Sequence, residues 1–450
     1  GALPDEMLAA WLNGPAFEGQ VIAQHRELVW NHLEINLMPT RKLNRRDGIY
    51  FNNNRSRHTR GAGQTHCGDF PADIDAWNRP RSWVTNPDGS VSEGYVVVSP
   101  YWDPDNPIEV CAFDAQTMAM TTTGVDCTTA DGHQEQECGC GPDLRWCFDG
   151  TTEGLIEESI SADVSERVRH MLQRDGSYGD LFSDPTMFVN GPSAHFFRYL
   201  APFDPETYES PLPVDSLPEL AFSDTAWTTV MLGDDHDGIL TAPGWLLRHQ
   251  TNRGRANRFY GGFLCSQFVP PEGGVGTGDT SAAPTPDLTR RAGCLGCHAR
   301  LEPWAAYWGR WGEAAMVYRS ADAFPAFEEE CRTCATLSSA DCPDHCEDHY
   351  LVEMSHSDER AYLGWYLPYA FLRDGKEEHP DLGPLGWVDS ANADGSLDEC
   401  AVQNASKWLL NLEADAEQLD DWSAELGPDP GYRELIRSLV TRTEYWGGTP

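Results

Sequence analysis

Residues 294–298 read Cys-Leu-Gly-Cys-His. Two thiols three positions apart, followed at once by an imidazole, form the attachment pattern of a c-type haem. Cys294 and Cys297 have the reach to bond the two vinyl groups of one porphyrin as thioethers. His298 then lies beneath the iron as its proximal ligand. The spacing fits one short turn of helix over the haem face. The same five residues also read as a Cys-x-x-Cys redox pair or as half of a zinc site. A thioredoxin-like pair wants a βαβ pattern around it, and none is visible. A zinc site needs two more ligands at matching spacing.

Twelve cysteines remain: Cys67, Cys111, Cys127, Cys138, Cys140, Cys147, Cys265, Cys331, Cys334, Cys342, Cys346 and Cys400. An even remainder is what disulfide pairing leaves in an oxidising compartment. Covalent haem attachment also happens outside the cytoplasm, so both signals predict a periplasmic or extracellular protein. The clusters Cys331, Cys334, Cys342, Cys346 and Cys138, Cys140, Cys147 have zinc-like spacing, but in this setting they read as disulfides.

The sixth coordination position decides what a haem iron does. Met or His there makes an electron-transfer centre, whereas an open position admits peroxide, oxygen or small gases. Met354 and His356 lie at the downstream remove from which small c-type domains bring a distal ligand, and they rank first. Met316 is nearer and belongs with the helix after the motif, while His25, Met187 and His195 come from upstream. Pro303 suits the first turn of a helix. Trp304, Trp308, Trp311 and Ala315 would then share one face, with Trp304 and Trp308 packing on the haem edge or in the core. Calcium is a second cofactor expectation. Asn392 to Asp398 alternates oxygen ligands around Gly395, although Ala401 stands where an EF-type loop has its bidentate Glu. The tract Asp234 to Gly238 is a looser match.

The elements that must position these residues read as mainly helical. Phe17, Val21, Leu28 and Ile35 recur at helical spacing from Phe17 to Leu37, with His25 and His32 on the same stripe. A helix is expected from Ser161, with Asp163 and Glu166 as a capping-box-like start. Residues 61–155 differ: six cysteines sit among Gly, Pro, Asp and Thr, with short β-prone runs such as Tyr95 to Val98. That stretch reads as an irregular, disulfide-stapled insertion with little core of its own. Residues 270–286, heavy in Gly, Pro and Thr, read as a flexible approach to the motif. The organisation expected is an N-terminal helical module at 1–60, the Cys-rich insertion at 61–155, and a helical module at 156–270. A haem segment with a Cys-rich loop follows at 271–375, then a C-terminal helical module at 376–450.

Charge narrows the partners. Seventy-one acidic residues against thirty-two basic ones give a net charge of −39, which disfavours nucleic acid and anionic lipid. No run of eighteen apolar residues occurs and no secretory peptide opens the chain. The reading is a soluble, processed form that is not transmembrane, with a tether conceivable in its precursor.

The segment CLGCHARLEPWAAYWGRWGE, Cys294 to Glu313, resembles the haem segment of predicted c-type cytochromes of planctomycete and myxobacterial type, multi-domain proteins assembled from domains of unknown function. Glu302-Pro303 stands where that group has an Asp-Pro pair. The resemblance extends to GILTAPGWLL at 238–247, TNRGRANRFYGGFLCSQFVPP at 251–271 and YGDLFSDPTMFVNG at 178–191. It also takes in the opening helix around AFEGQVIAQHRELVW, Cys400 to Leu410 and YRELIRSLVTRTEYW at 432–446. It implies a predominantly helical, exported, single-haem protein in which Cys294, Cys297 and His298 carry the cofactor. It carries over no distal ligand, substrate or redox partner. Three functions follow: electron transfer to a redox partner protein, haem enzymology of peroxidase or oxygenase type at an open sixth position, and a haem-bearing subunit of a cell-envelope or extracellular assembly.

Overall fold

The computed structural model describes residues 4–33, 39–54, 66–76, 79–81, 84–85, 87–88, 91–129, 131–204, 208, 214–267, 288–289, 294–337, 342–354, 357–370 and 376–442. The chain is mainly α and divides into two compact units. One is Gly1–Asn31, Val164–Thr186 and Leu232–Pro450; the other is His32–Asp163 and Met187–Met231. Each unit therefore draws on stretches far apart in sequence, which composition along the chain does not register. No helix among the described residues is long and apolar enough to cross a membrane.

The unit containing 61–155 carries three disulfides, Cys67–Cys111, Cys127–Cys138 and Cys140–Cys147. It has more core than the sequence suggests. Leu43–Arg46, Ile49–Asn52, Ile108–Cys111 and Tyr95–Val98 form a four-stranded sheet in that spatial order. The first pair is an antiparallel hairpin around Asp47-Gly48, both at positive φ (51° and 97°), as a tight two-residue turn requires. Val110, Leu144, Cys140 and Cys147 pack into one buried cluster, and Ile49, Phe51, Cys67 and Cys111 into a second. Strands from before residue 61 thus supply the wall against which the Cys-rich segment folds.

The helix expected from Ser161 begins earlier and spans Gly150–Gln173. Its cap is Asp149, whose Oδ1 accepts from the Thr151 and Thr152 N–H groups at 2.9 and 2.8 Å. Asp163 lies inside the helix, where it is buried and accepts the Phe188 N–H at 2.7 Å.

In the unit that holds the motif, the opening stripe forms Pro15–Val29 and stops there. Trp30 turns left-handed (φ 51°) and its N–H closes on the Arg26 carbonyl. Residues 34–37 of the expected helix lie outside the described residues, as does 270–286. Asn252–Phe263, Leu295–Ala305, His379–Asp394 and Ser396–Leu410 are the helices nearest the argument. Cys265–Cys400 ties the end of the first to the last. A hairpin of Glu329–Leu337 and Asp344–His349 is clasped by Cys331–Cys346 and Cys334–Cys342.

Candidate metal centre

The six disulfides take twelve of the fourteen cysteines, and the two left as free thiols are Cys294 and Cys297, both half-buried. Cys294 is the N-cap of Leu295–Ala305. Its carbonyl accepts the N–H groups of Cys297 (3.2 Å) and His298 (3.0 Å), so thiols and imidazole occupy one opening turn.

His298 is oriented from its own helix. Its Nδ1 lies 2.5 Å from Glu302 Oε1, one turn on. The same oxygen accepts Arg253 Nε at 2.6 Å, and Glu302 Oε2 accepts Arg253 Nη2 at 3.1 Å. A carboxylate on Nδ1 fixes that nitrogen as the donor and leaves Nε2 as the ring nitrogen that can bind a metal. Burial works against the Arg253 charge, yet Glu302 and Glu313 hold its guanidinium above its ordinary value. Neither Glu302 nor Arg253 has a signal in the motif itself; the i, i+4 spacing of His298 and Glu302 is the one sequence cue.

The last turn of this short helix is its anchor. Trp304 is half-buried, with ring centroids 4.3 Å from Tyr260 and 4.7 Å from Trp387. His379 Nδ1 bonds the Pro303 carbonyl at 2.8 Å, and its ring stacks on Tyr307 at 4.1 Å. Each such aromatic contact adds about 0.5–1.5 kcal/mol beyond area burial. Pro303 falls inside the helix rather than at its start. The helical run ends by Trp308, and the Gly309 that follows is closely packed: a Cβ there would meet Pro368 Cβ at 2.7 Å.

Trp308 and Trp311 consequently reach the core by different routes. Trp308 is wholly buried, donates Nε1–H to the Leu240 carbonyl at 2.9 Å and faces Trp245 and Trp387. Trp311 sits in a bridge with Tyr318, beyond the helix. Arg255, completely buried, caps this turn with bonds to the carbonyls of Trp311, Gly312 and Ala315.

The other sequence candidates are scattered. Met354 is 45% exposed in the segment after the Cys-rich hairpin, and His356 lies outside the described residues. Met316 is fully buried. His25 is buried between Tyr178 and Tyr432, and burial lowers its pKa to about 4. His195 and Met187 belong to the other unit. Asn392 to Asp398 forms a helix–helix corner: Gly395 (φ 79°) donates to the Asn392 carbonyl, and the Asp394 and Asp398 carboxylates accept the N–H groups of Ser396 and Asp429. Cys331, His345 and Cys346 cluster closely enough for a metal, but the two sulfurs are bonded to each other.

A cavity of about 440 Å³ opens beside the motif helix, with Glu302, Arg253, Arg319, His349 and Trp311 among its walls. The donor set itself fits a haem held by two thioethers and one imidazole. Two thiols on one turn stay unpaired where every other cysteine is bridged, and the imidazole presents one nitrogen while a carboxylate holds the other. No protein-family model, curated protein or solved structure matches the chain.

Proposed function

We propose that this protein is an exported mono-haem c-type cytochrome that passes single electrons. The observation that carries the reading is the cysteine partition: only the two thiols of Cys-x-x-Cys-His escape pairing. Each thiol would add across a vinyl C=C, sulfur to one carbon and its hydrogen to the other, so attachment needs no oxidant. His298 would bind iron through Nε2, and Glu302 would hold the ring in place. The haem supplies a one-electron ferric/ferrous couple when bound. Six disulfides support export to an oxidising compartment. Kinship with the planctomycete and myxobacterial-type cytochromes belongs to the same proposal.

A second reading, a haem enzyme of peroxidase or oxygenase type, is favoured by one observation. The cavity beside Glu302 has room for a small substrate, with ionisable side chains on its wall.

The test begins with haem staining on a denaturing gel after expression with a haem-attachment system. Wild type should stain and the Cys294→Ala/Cys297→Ala protein should not; an unchanged band in the double variant sinks the proposal. Haem-free protein, denatured without reductant and alkylated, should take up label at Cys294 and Cys297 alone. Optical spectra then separate the two readings. Reduced bands indifferent to carbon monoxide mean a six-coordinate electron carrier, whereas a rapid, complete shift means an open site and favours the enzyme.

A further inference from the structure

We propose that Glu302 and Arg253 form an opposed pair that sets how strongly His298 donates to the iron, and so sets the reduction potential. The inference rests on the haem reading above and names positioning residues for that site. Glu302 Oε1 is shared between His298 Nδ1 at 2.5 Å and Arg253 Nε at 2.6 Å, so the two donors divide one oxygen's negative charge. The His298 and Glu302 side chains are only 20% and 15% exposed, which limits solvent screening, while Arg253 approaches from the wetter side at 43%. A carboxylate on Nδ1 makes an imidazole a more basic ligand and favours ferric over ferrous iron. A guanidinium drawing on the same oxygen weakens that effect.

Helix stability does not account for this arrangement. Glu302 lies in the last turn of Leu295–Ala305, the negative end of the helix dipole, where a carboxylate is disfavoured. Arg253 lies in the first turn of Asn252–Phe263, the positive end, where a cation is disfavoured. What both placements achieve is a charged hydrogen-bond chain ending on the imidazole of the motif.

The experiment is an equilibrium redox titration of haem-loaded wild type and four variants, each first checked for covalent haem. Glu302→Gln keeps a hydrogen-bond acceptor without the charge, and should lower the ferric-to-ferrous preference about tenfold, a rise of about 59 mV. Glu302→Asp should stay nearer wild type than Glu302→Gln. Arg253→Gln should move the potential the opposite way, because Glu302 then acts on His298 undivided. Asp348→Asn is the control. It removes a carboxylate from the wall of the same cavity and should shift the potential by less than a third as much. An unmoved potential in Glu302→Gln overturns the proposal. So does an Asp348→Asn shift of equal size, or Glu302→Gln and Arg253→Gln shifting the same way. Wild type without haem would overturn the haem reading first and this inference with it; haem present with unshifted potentials overturns this inference alone.

Discussion

Replacing Arg255 by Met tests whether the turn after the motif helix is held by one buried cation. Arg255 donates Nε–H to the His249 carbonyl (2.9 Å) and Nη1–H to Asn252 Oδ1 (2.7 Å) and the Trp311 carbonyl (3.4 Å). Its Nη2 serves the carbonyls of Leu246 (3.2 Å), Gly312 (2.8 Å) and Ala315 (3.1 Å). Met restores bulk but strips five buried carbonyls of a donor, at about 1–3 kcal/mol each. Against that stands the relief of a buried charge. Burial lowers the guanidinium from its ordinary value to about 9, which corresponds to about 5 kcal/mol of desolvation that Met avoids. With about 10 kcal/mol lost in the middle of the range, the net destabilisation is about 5 kcal/mol. Urea unfolding followed by tryptophan fluorescence reads this directly, since Trp245, Trp308 and Trp311 are buried in the same unit. At a slope of about 2.5 kcal/mol/M the midpoint should fall by about 2 M. Arg255→Lys keeps the charge but presents it at one point instead of a planar fork, so it should fall between the two. A Met variant within about 1 kcal/mol of wild type would refute the argument that these carbonyls depend on Arg255.

Two further expectations concern stability. Burial lowers His25 and His249 to about 4 and His236 to about 3, so below pH 6.5 the unfolded chain binds protons that the folded unit refuses. That stability is complete above pH 6.5 and is lost on acidification. At pH 5 the three together amount to about 6 kcal/mol, offset by about 3 kcal/mol from Asp237, which burial raises to about 7 so that its protonation favours the folded state. Urea midpoints should therefore drop between pH 7 and pH 5, and an equal or higher midpoint at pH 5 would contradict the assigned burial. Removing Cys265–Cys400, which spans 135 residues, should cost up to about 5 kcal/mol, against about 2 for Cys140–Cys147, which spans 7. Thermal unfolding of the two double alanine variants would rank them, and the reverse order would argue against the long-loop pairing.

How much was legible follows from how local each determinant is. The motif and the even count of remaining cysteines lie on the surface of the sequence, whereas the pairing of Cys265 with Cys400 depends on two helices meeting far apart in the chain. Tyr95 to Val98 announced itself as a strand by its β-branched run. Its sheet was hidden because Leu43–Arg46 is mostly polar and exposed, with only the Asp47-Gly48 turn as a cue. Asp163 and Glu166 imitate a helix start although Asp149 provides it, because an acidic residue inside a helix that binds a distant N–H looks locally like a cap. The tryptophan stripe shows the same limit of local spacing: it suits one helix from Pro303 to Ala315, but the helical run ends by Trp308 and Trp311 is placed by a bridge with Tyr318 instead.

The same contrast explains how the motif helix is built. Its described anchors fall in the last turn: Glu302 on Arg253, Trp304 between Tyr260 and Trp387, and the Pro303 carbonyl under His379. The thiols stand at the opposite end, half-buried on the opening turn. A helix of eleven residues is marginal alone, so its order depends on that anchored turn. Fixing a short helix at one end leaves the other end accessible, as the proposed haem attachment would require. On the haem reading proposed above, it also explains why the imidazole is steadied from within the helix, by Glu302, rather than by a residue that would crowd the face where two thioethers would form.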